Sequence, residues 1–306
     1  MEARGRVIKK VNFTTQVSEK IKLASNTSWL IGGEAEFFSE PESVADLSVL
    51  ILEAEKNKMT TTILGGGTNV LISDEGIKGL VISLKRLSGI ETLPRDGFLN
   101  FWALAGTAKS ELLKIFLKNK LHPAKMLAGL PGQVGGGVVM NAGVSEKLVP
   151  REFSEIVEAI EVLRPNGALE IILSKNLKWD YRHCEGWKPG VITRAKFLWP
   201  MTPDDKIISE VKALNLQRLK KQPLEWPSCG SVFRNPLPDS AGNLIERAGL
   251  KGHSYGGAQI SEKHANFIIN RGNAKASDIE ALMKLCVEEV RKQFSISLKS
   301  EVIFLK

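Results

Sequence analysis

Cysteine is scarce in this 306-residue chain, which carries three: Cys184, Cys229 and Cys286. An odd number without C-x-x-C spacing argues against a disulfide framework or a zinc ribbon and favours a reducing cytoplasm. The chain also lacks an uncharged apolar run of membrane-spanning length, and Met1 to Phe13 contain no apolar segment of the secretory-signal kind. We therefore expect a cytoplasmic protein that is neither exported nor anchored in a membrane.

Internal repeats and low-complexity tracts are missing as well, which excludes solenoids and linker-rich arrays. Hydrophobic residues make up 43% of the chain and charged residues 25%, the balance of a globular protein. The length suffices for two or three domains.

The net charge of +8 favours acidic partners, among them nucleotides, diphosphates and nucleic acids. A nucleic-acid-binding protein should cluster its basic residues beside stacking aromatics. Here Lys and Arg are spread along the chain and Tyr occurs only twice. We therefore rank nucleic-acid binding as a remote alternative.

Apolar spacing predicts helices over Pro41–Lys56 and Ser110–Lys120. A third predicted helix begins at a capping-box pair, Ser277 and Glu280, and its apolar face runs from Ile279 to Phe294. The segment Leu127–Gly143 is dense in glycine and has little period of its own.

Strands are predicted over Thr60–Leu64 and Gly79–Leu84, and a Pro-Asn-Gly turn joins Ile156–Leu163 to Leu169–Leu173 as a hairpin. Helices mixed with hairpins indicate an α+β fold rather than one doubly wound sheet. Soft boundaries fall near Arg86 and Asp205.

Two glycine-rich segments stand out. Gly65-Gly66-Gly67-Thr68-Asn69 lies between predicted strands, where exposed backbone N–H groups can bind phosphate oxygens or simply form a tight loop. The second, Gly129 to Gly137, leads into Met140-Asn141-Ala142-Gly143. Together the two loops could hold one extended diphosphate. Neither fits the Rossmann or P-loop fingerprint, so a cofactor would be held in another way.

Five segments together resemble the UDP-N-acetylenolpyruvoylglucosamine reductase (MurB) family, in order and over nearly the whole chain. They are Gly65–Asn69, Gly129–Gly143, Tyr181-Arg182, Pro227-Ser-Cys-Gly-Ser-Val-Phe-Arg-Asn-Pro236 and Leu298–Val302. The short distance between Arg182 and Ser231 resembles the subtype that lacks an extra substrate-covering loop.

The resemblance implies two FAD-binding subdomains of the vanillyl-alcohol-oxidase (PCMH) type, 1–85 and 86–205, and an α+β substrate-binding domain, 206–306. It implies FAD as cofactor, NADPH as hydride donor and UDP-N-acetylenolpyruvoylglucosamine as the substrate that is reduced to UDP-N-acetylmuramate. The cofactor-binding residues implied are Gly65, Gly66, Gly67, Thr68, Asn69, Gly129, Pro131, Gly132, Gly135, Gly136, Asn141, Ala142 and Gly143.

Three residues match the family's catalytic positions. Hydride addition to the vinyl carbon distal to the carboxylate leaves negative charge that must be stabilised and then protonated. By the resemblance, Arg182 and Glu301 stabilise this enolate and Ser231 donates the proton. Glu301 helps only if it is protonated or orients a donor.

Four residues match substrate contacts of the family: Tyr181, Lys221, Asn235 and His264. Lys221 would also supply part of the field that lets a weakly acidic serine hydroxyl release its proton. Where family members commonly continue Ala-Tyr-Gly, this chain has Val144-Ser145-Glu146, so the loop edge near the flavin is expected to differ.

No metal is expected, because His183-Cys184 are adjacent and His122 and His253 are isolated. Cys229 has no neighbouring helix start or paired histidine, so we expect a small buried side chain. Another PCMH-type flavin oxidoreductase, acting on an alcohol, is the alternative enzyme. The sequence does not determine the oligomeric state.

Overall fold

The computed structural model describes residues 13–144, 148, 150–236 and 238–306. Helices and strands are mixed along the described chain, as the α+β prediction requires. Ser145 and Glu146 of the expected loop difference lie outside these ranges, as does nearly all of Met1–Phe13.

The first layer is a four-stranded sheet of order β1-β2-β5-β3. Its strands are β1 (Ser18–Lys22), β2 (Glu34–Ser39), β3 (Thr61–Leu64) and β5 (Ile77–Ser83), with β4 (Val70–Ile72) following the first glycine loop. β1 pairs antiparallel with β2, while β2 and β3 lie parallel to β5. The predicted strands Thr60–Leu64 and Gly79–Leu84 are thus confirmed.

Helix α1 (Val44–Lys56) packs against this sheet through buried Leu47, Leu50 and Ala54. It begins at Ser43, whose Oγ accepts the Asp46 N–H at 3.1 Å. The predicted helix is confirmed, but Pro41 and Glu42 precede the cap rather than form the first turn, because a serine oxygen satisfies the free helix N–H.

The second layer is a five-stranded antiparallel sheet of order β6-β7-β12-β8-β9. Its strands are β6 (Ile90–Thr92), β7 (Phe98–Leu104), β8 (Val157–Leu163), β9 (Leu169–Leu173) and β12 (Val191–Pro200), with the small pair β10 (Lys178–Asp180) and β11 (His183–Glu185) alongside. The predicted β8–β9 hairpin is confirmed.

Three helices cover this sheet: α2 (Lys109–Lys118), α3 (Pro123–Leu127) and α4 (Val134–Val139). They bury an aromatic core in which the rings of Phe101 and Phe197 stack at 5.2 Å. The helix predicted over Ser110–Lys120 is confirmed within a residue or two. Helix α4 lies in the glycine-dense segment that showed no period, because contacts with the sheet override the poor helix propensity of glycine.

The last layer contains α5 (Ile207–Lys221), α6 (Ala241–Arg247), α7 (Ala276–Phe294) and a three-stranded sheet. The sheet's strands are β13 (Ser254–Tyr255), β14 (Ala258–Ile260) and β15 (Ile268–Asn270). Trp29, from the first part of the chain, packs into the hydrophobic core of this layer, and its Nε1 donates to the Ile268 carbonyl at 2.7 Å. The final strand β16 (Ile303–Leu305) returns to pair parallel with β4.

The amphipathic helix α7 is confirmed, but its predicted capping pair is wrong. The helix begins at Ala276, and the Asp278 carboxylate accepts the Lys275 N–H at 3.0 Å. Asp74, distant in sequence, accepts the N–H groups of Ala276 and Ser277 at 2.7 and 3.0 Å. The free N–H groups therefore bond to a residue that the local pattern could not reveal.

The predicted domain limits remain a prediction. Two features cross them. Ile207 and Val211 of α5 pack into the core of the second layer, and β16 pairs with β4 in a separate two-stranded sheet. Within the described residues, no helix is long and apolar enough to cross a membrane.

Candidate active site

A cavity of about 500 Å³ lies where the layers meet. Both glycine loops, the turn between β10 and β11, the end of α5, the segment 229–235 and the C-terminal residues Glu301 and Ile303 line it. The fold therefore brings to one space most of the segments that the sequence singled out.

The first glycine loop joins β3 to β4 and touches the second loop. A Cβ on Gly66 would lie 3.0 Å from the Cα of Gly132, so the approach leaves no room for a side chain. Among the described residues, the N–H groups of Gly66, Gly67 and Thr68 donate to no backbone or side-chain acceptor. Such a row of free donors fits an anionic diphosphate.

The second glycine loop runs into α4 and opens towards the same space. A Cβ on Gly136 would meet nothing within 4 Å, so this face of α4 is open to the cavity. Gln133 is 8% exposed, lines the cavity, and its Oε1 has no partner among the described residues. An orphaned buried acceptor beside free N–H donors is the pattern of a site that binds a polar ligand.

Most of the predicted cofactor residues line this cavity. Those that do are Gly65, Gly66, Gly67, Thr68, Asn69, Gly129, Pro131, Gly135, Gly136, Ala142 and Gly143. Gly132 instead faces Thr68, where a Cβ would lie 2.6 Å from Oγ1. Asn141 is buried away from the cavity and donates to Glu152 Oε2 at 2.9 Å.

Arg182 lies in the turn between β10 and β11 at a φ of +57°, a backbone conformation that is uncommon outside glycine. Its Nε donates to Glu301 Oε1 at 2.9 Å, and its Nη2 donates to the Gly143 carbonyl at 2.9 Å. Its Nη1 is buried and donates to no described acceptor. The guanidinium is therefore fixed by two hydrogen bonds, and Nη1, which lies 3.8 Å from Glu152 Oε1, still has its hydrogen-bonding capacity for an anionic ligand.

Glu301 is positioned by backbone pairing. Its N–H donates to the Val232 carbonyl at 2.9 Å, and the Asn69 side chain donates to its carbonyl at 2.9 Å. Burial raises the pKa of the Glu301 carboxyl, and the Arg182 guanidinium opposes that shift. The protonated form is thus easier to reach than for an exposed glutamate.

Ser231 is half-buried and lines the cavity. The segment after it runs antiparallel to the C-terminal residues, with Phe233 bridged to Ser300 and the Arg234 N–H on the Lys299 carbonyl at 2.9 Å. This pairing brings Ser231 and Glu301 to one cavity, and the bond from Arg182 to Glu301 joins Arg182 to them. Cys229 is buried as expected, and burial together with the Glu301 charge raises the pKa of its thiol well above 9.0.

Three of the four predicted substrate-binding residues line the cavity and one does not. Lys221, at the exposed end of α5, and Tyr181, 37% exposed, both line the cavity. Asn235 lines it too, and its Oδ1 accepts the Ala241 N–H at 3.0 Å where α6 begins. His264 is not among the lining residues; its ring packs on Phe267 with the centroids 4.7 Å apart.

Sequence reasoning did not single out Lys109 and Gln133, which both line the cavity. Lys109 begins α2 and is only 6% exposed. Burial and the nearby Arg182 charge lower its pKa from 10.5 to about 8. Gln133 could have been found from the sequence, because it lies inside the glycine-dense segment that was already proposed to bind a ligand. Lys109 could not, because nothing in the local sequence distinguishes it from an ordinary lysine at the start of a helix.

The adjacent pair His183-Cys184 forms no metal centre in the part of the chain that the structure describes, where no group of three His, Cys, Asp or Glu side chains converges. His183 Nε2 lies 2.9 Å from Glu185 Oε1. Cys184 is buried, and burial raises the pKa of its thiol to about 12.

Comparison with known proteins first defines the class. Residues 35–172 match the family model described as FAD binding domain. With the mixed fold and the glycine-lined cavity, this match makes the chain a flavoprotein that carries FAD.

Residues 222–305 match the model described as UDP-N-acetylenolpyruvoylglucosamine reductase, C-terminal domain. Proteins of that name from Prochlorococcus marinus and Latilactobacillus sakei are 40% and 35% identical, over 92% and 95% of this chain and 91% and 94% of theirs. The crystal structure of the Thermus caldophilus enzyme superposes with a TM-score of 0.78 at 31% identity, covering 95% of this chain and 99% of the other.

The chain therefore belongs to the UDP-N-acetylenolpyruvoylglucosamine reductase family. It is an FAD-dependent oxidoreductase, and the resemblance found in the sequence is confirmed.

Proposed function

We propose that this protein reduces UDP-N-acetylenolpyruvoylglucosamine to UDP-N-acetylmuramate with NADPH as hydride donor, a step of peptidoglycan synthesis in the cytoplasm. The observation that carries the proposal is the Arg182–Glu301 hydrogen bond of 2.9 Å on the cavity that Ser231 and both glycine loops also line. When bound, FAD would supply hydride transfer between the two substrates.

The cofactor would be held by the two glycine loops. The free N–H groups of Gly66, Gly67 and Thr68 suit its diphosphate, and the open face at Gly136 leaves space beside α4. Gln133 Oε1 is an available acceptor. These contacts bind and orient the cofactor.

Arg182 would bind the enolpyruvyl carboxylate. Its Nη1 donates no hydrogen bond to a described residue, and its two hydrogen bonds through Nε and Nη2 fix the plane of the guanidinium. As charge develops on the substrate, a permanently charged donor that is already fixed in place stabilises it without reorganisation. Glu301 would position Arg182 and, when protonated, would itself donate to the same carboxylate.

Ser231 would donate the proton that quenches the substrate carbanion. A serine hydroxyl is a very weak acid, so the step needs positive charge nearby. Lys221 lines the same cavity and is our candidate for that charge. Tyr181 and Asn235 would contact the UDP-sugar from the cavity wall. His264 does not line the cavity and is therefore the weakest of the four proposed contacts.

The experiment has two parts. Purified protein should show visible flavin absorption, and NADPH oxidation by the anaerobic holoenzyme should depend on the enolpyruvyl UDP-sugar. Flavin reduction by NADPH without any substrate-dependent reoxidation would favour another flavin oxidoreductase over the proposed reaction.

A further inference from the structure

Lys109 is a buried cation for which the proposed mechanism has no role. It is 6% exposed and lines the cavity, with its Nζ 5.7 Å from the centre of the Phe153 ring. Among the described residues it makes neither an ion pair nor a side-chain hydrogen bond. A buried, unpaired ammonium is costly, so its retention inside a binding cavity suggests an anionic ligand.

The charged groups around Lys109 are otherwise committed. Arg182, from the β10–β11 turn, is the charge that acts on it. Glu152 Oε2 accepts from Asn141, and Glu152 Oε1 lies 3.8 Å from Arg182 Nη1. Glu301 bonds to Arg182 as well, and Lys125 of α3 pairs with Glu210 at 2.9 Å. No described carboxylate is left for Lys109.

Two like charges that face one cavity repel each other, and an anion between them removes the repulsion. On that side, Arg182 Nη1 donates no hydrogen bond to a described residue, its nearest carboxylate being Glu152 at 3.8 Å, and the Lys109 ammonium has no described ion-pair partner. The Glu301 carboxylate is bonded to Arg182 Nε at 2.9 Å and makes no ion pair with Lys109.

We propose that Lys109 is a second cation for the enolpyruvyl carboxylate, binding it together with Arg182. This inference rests on the proposed function, since it assumes that the UDP-sugar occupies the cavity. It assigns a substrate-binding role to a residue outside the motifs of the family resemblance.

The test measures equilibrium binding to the oxidised holoenzyme without NADPH, so that no turnover occurs. Two ligands are titrated by flavin absorbance or calorimetry: the enolpyruvyl UDP-sugar, and UDP-N-acetylglucosamine, which lacks the carboxylate. In Lys109→Met the affinity for the first should fall about tenfold to a hundredfold, the loss of one charge-assisted bond. Affinity for the second should change less than about twofold.

The pH dependence of binding gives a second readout. Because the carboxylate binds the protonated amine, wild-type affinity should be constant below about pH 8 and fall above it, following the lowered pKa of Lys109. Lys109→Met should lose that fall, and Lys109→Arg should move it to higher pH.

The matched control is Lys125→Met, which removes another lysine of the cavity wall whose charge is already paired with Glu210. It should leave the selectivity between the two ligands unchanged.

Three results would overturn the inference. Lys109→Met could bind the enolpyruvyl ligand as wild type does, lose both ligands equally, or lose FAD itself, which would assign the cation to the cofactor. If the wild-type protein binds neither ligand, the proposed function has failed and the role of Lys109 fails with it.

Discussion

Arg182 Nε and Glu301 Oε1 lie 2.9 Å apart although 119 positions separate the two residues in the chain. The bond joins the turn between β10 and β11, beside the second layer, to the C-terminal segment. That segment also pairs with the residues after Ser231. The bond therefore fixes the geometry of the cavity and not merely one side chain.

Replacing Arg182 by Lys should lower kcat/KM about a hundredfold or more. A point charge cannot hold Glu301 and the Gly143 carbonyl while offering a third donor to substrate. Steady-state kinetics with varied UDP-sugar measure the effect. Arg247→Lys, at an exposed arginine 3.3 Å from Asp239, is the control and should behave as wild type. Near-normal turnover of Arg182→Lys would remove Arg182 from the mechanism.

Ser231→Ala should separate the two half-reactions. Stopped-flow reduction of the flavin by NADPH should keep its rate, because no proton from Ser231 is needed there. Reoxidation by the UDP-sugar should slow by about 10²–10⁴-fold, the usual contribution of a general acid. Ser228→Ala, in the same segment but outside the cavity lining, is the control. Equal slowing of both half-reactions contradicts the proton-donor role.

Gly136→Ala should weaken FAD binding without weakening the fold. The added Cβ meets no protein atom within 4 Å, and alanine is the better helix former by about 1 kcal/mol. Flavin content and apoprotein unfolding are the measurements. Gly242→Ala, in helix α6 away from the cavity, should retain full flavin. Full flavin content in Gly136→Ala would show that the cofactor does not approach α4 at this point.

Lys109→Met should stabilise the substrate-free protein below pH 8. The pKa of Lys109 is lowered from 10.5 to about 8 by burial and by Arg182, so its charged form opposes folding. The gain should reach at most about 3 kcal/mol, and it should shrink as pH rises from about 8 towards 10.5, where the wild-type amine is neutral when folded. Urea unfolding across this pH range measures it; destabilisation below pH 8 would contradict the assigned burial cost.

Asp74→Ala should destabilise the fold by about 1 kcal/mol at neutral pH, the usual value of a lost helix cap. Burial opposes ionisation of Asp74, but the N–H groups of Ser277 and Ala276 prevail and lower the pKa of its carboxyl below 3.8. The stabilisation is therefore present above pH 3.8 and is lost as pH falls through the lowered value. Thermal unfolding from pH 7 to 3 tests this, with exposed Glu75→Ala as the control.

The sequence predicted the strongly periodic elements well. Helices α1, α2 and α7 and the β8–β9 hairpin follow from apolar spacing and turn residues, which act locally. Helix α4 was missed because glycine favours no helix by itself and forms one here only against the sheet.

In the candidate site, the sequence was enough to predict those residues that lie together in one distinctive segment. Both glycine loops line the cavity, as their unusual composition indicated, and so do residues of the Pro227–Pro236 segment, which the family resemblance had singled out. Lys109 could not be predicted, because a lysine at the start of a helix is common in any sequence. Only its burial, which the structure shows, is unusual for a lysine.

From the sequence alone, composition and short-range spacing determined the α+β class and singled out the two glycine loops. The family, and with it the other segments that line the cavity, followed from the resemblance of short motifs. Only the tertiary structure decided that Asp74 caps α7, that Glu301 fixes Arg182 and that Lys109 faces the cavity without a described partner. Those relationships arise from contacts between distant segments, and burial and charge pairing exist only once the layers have packed.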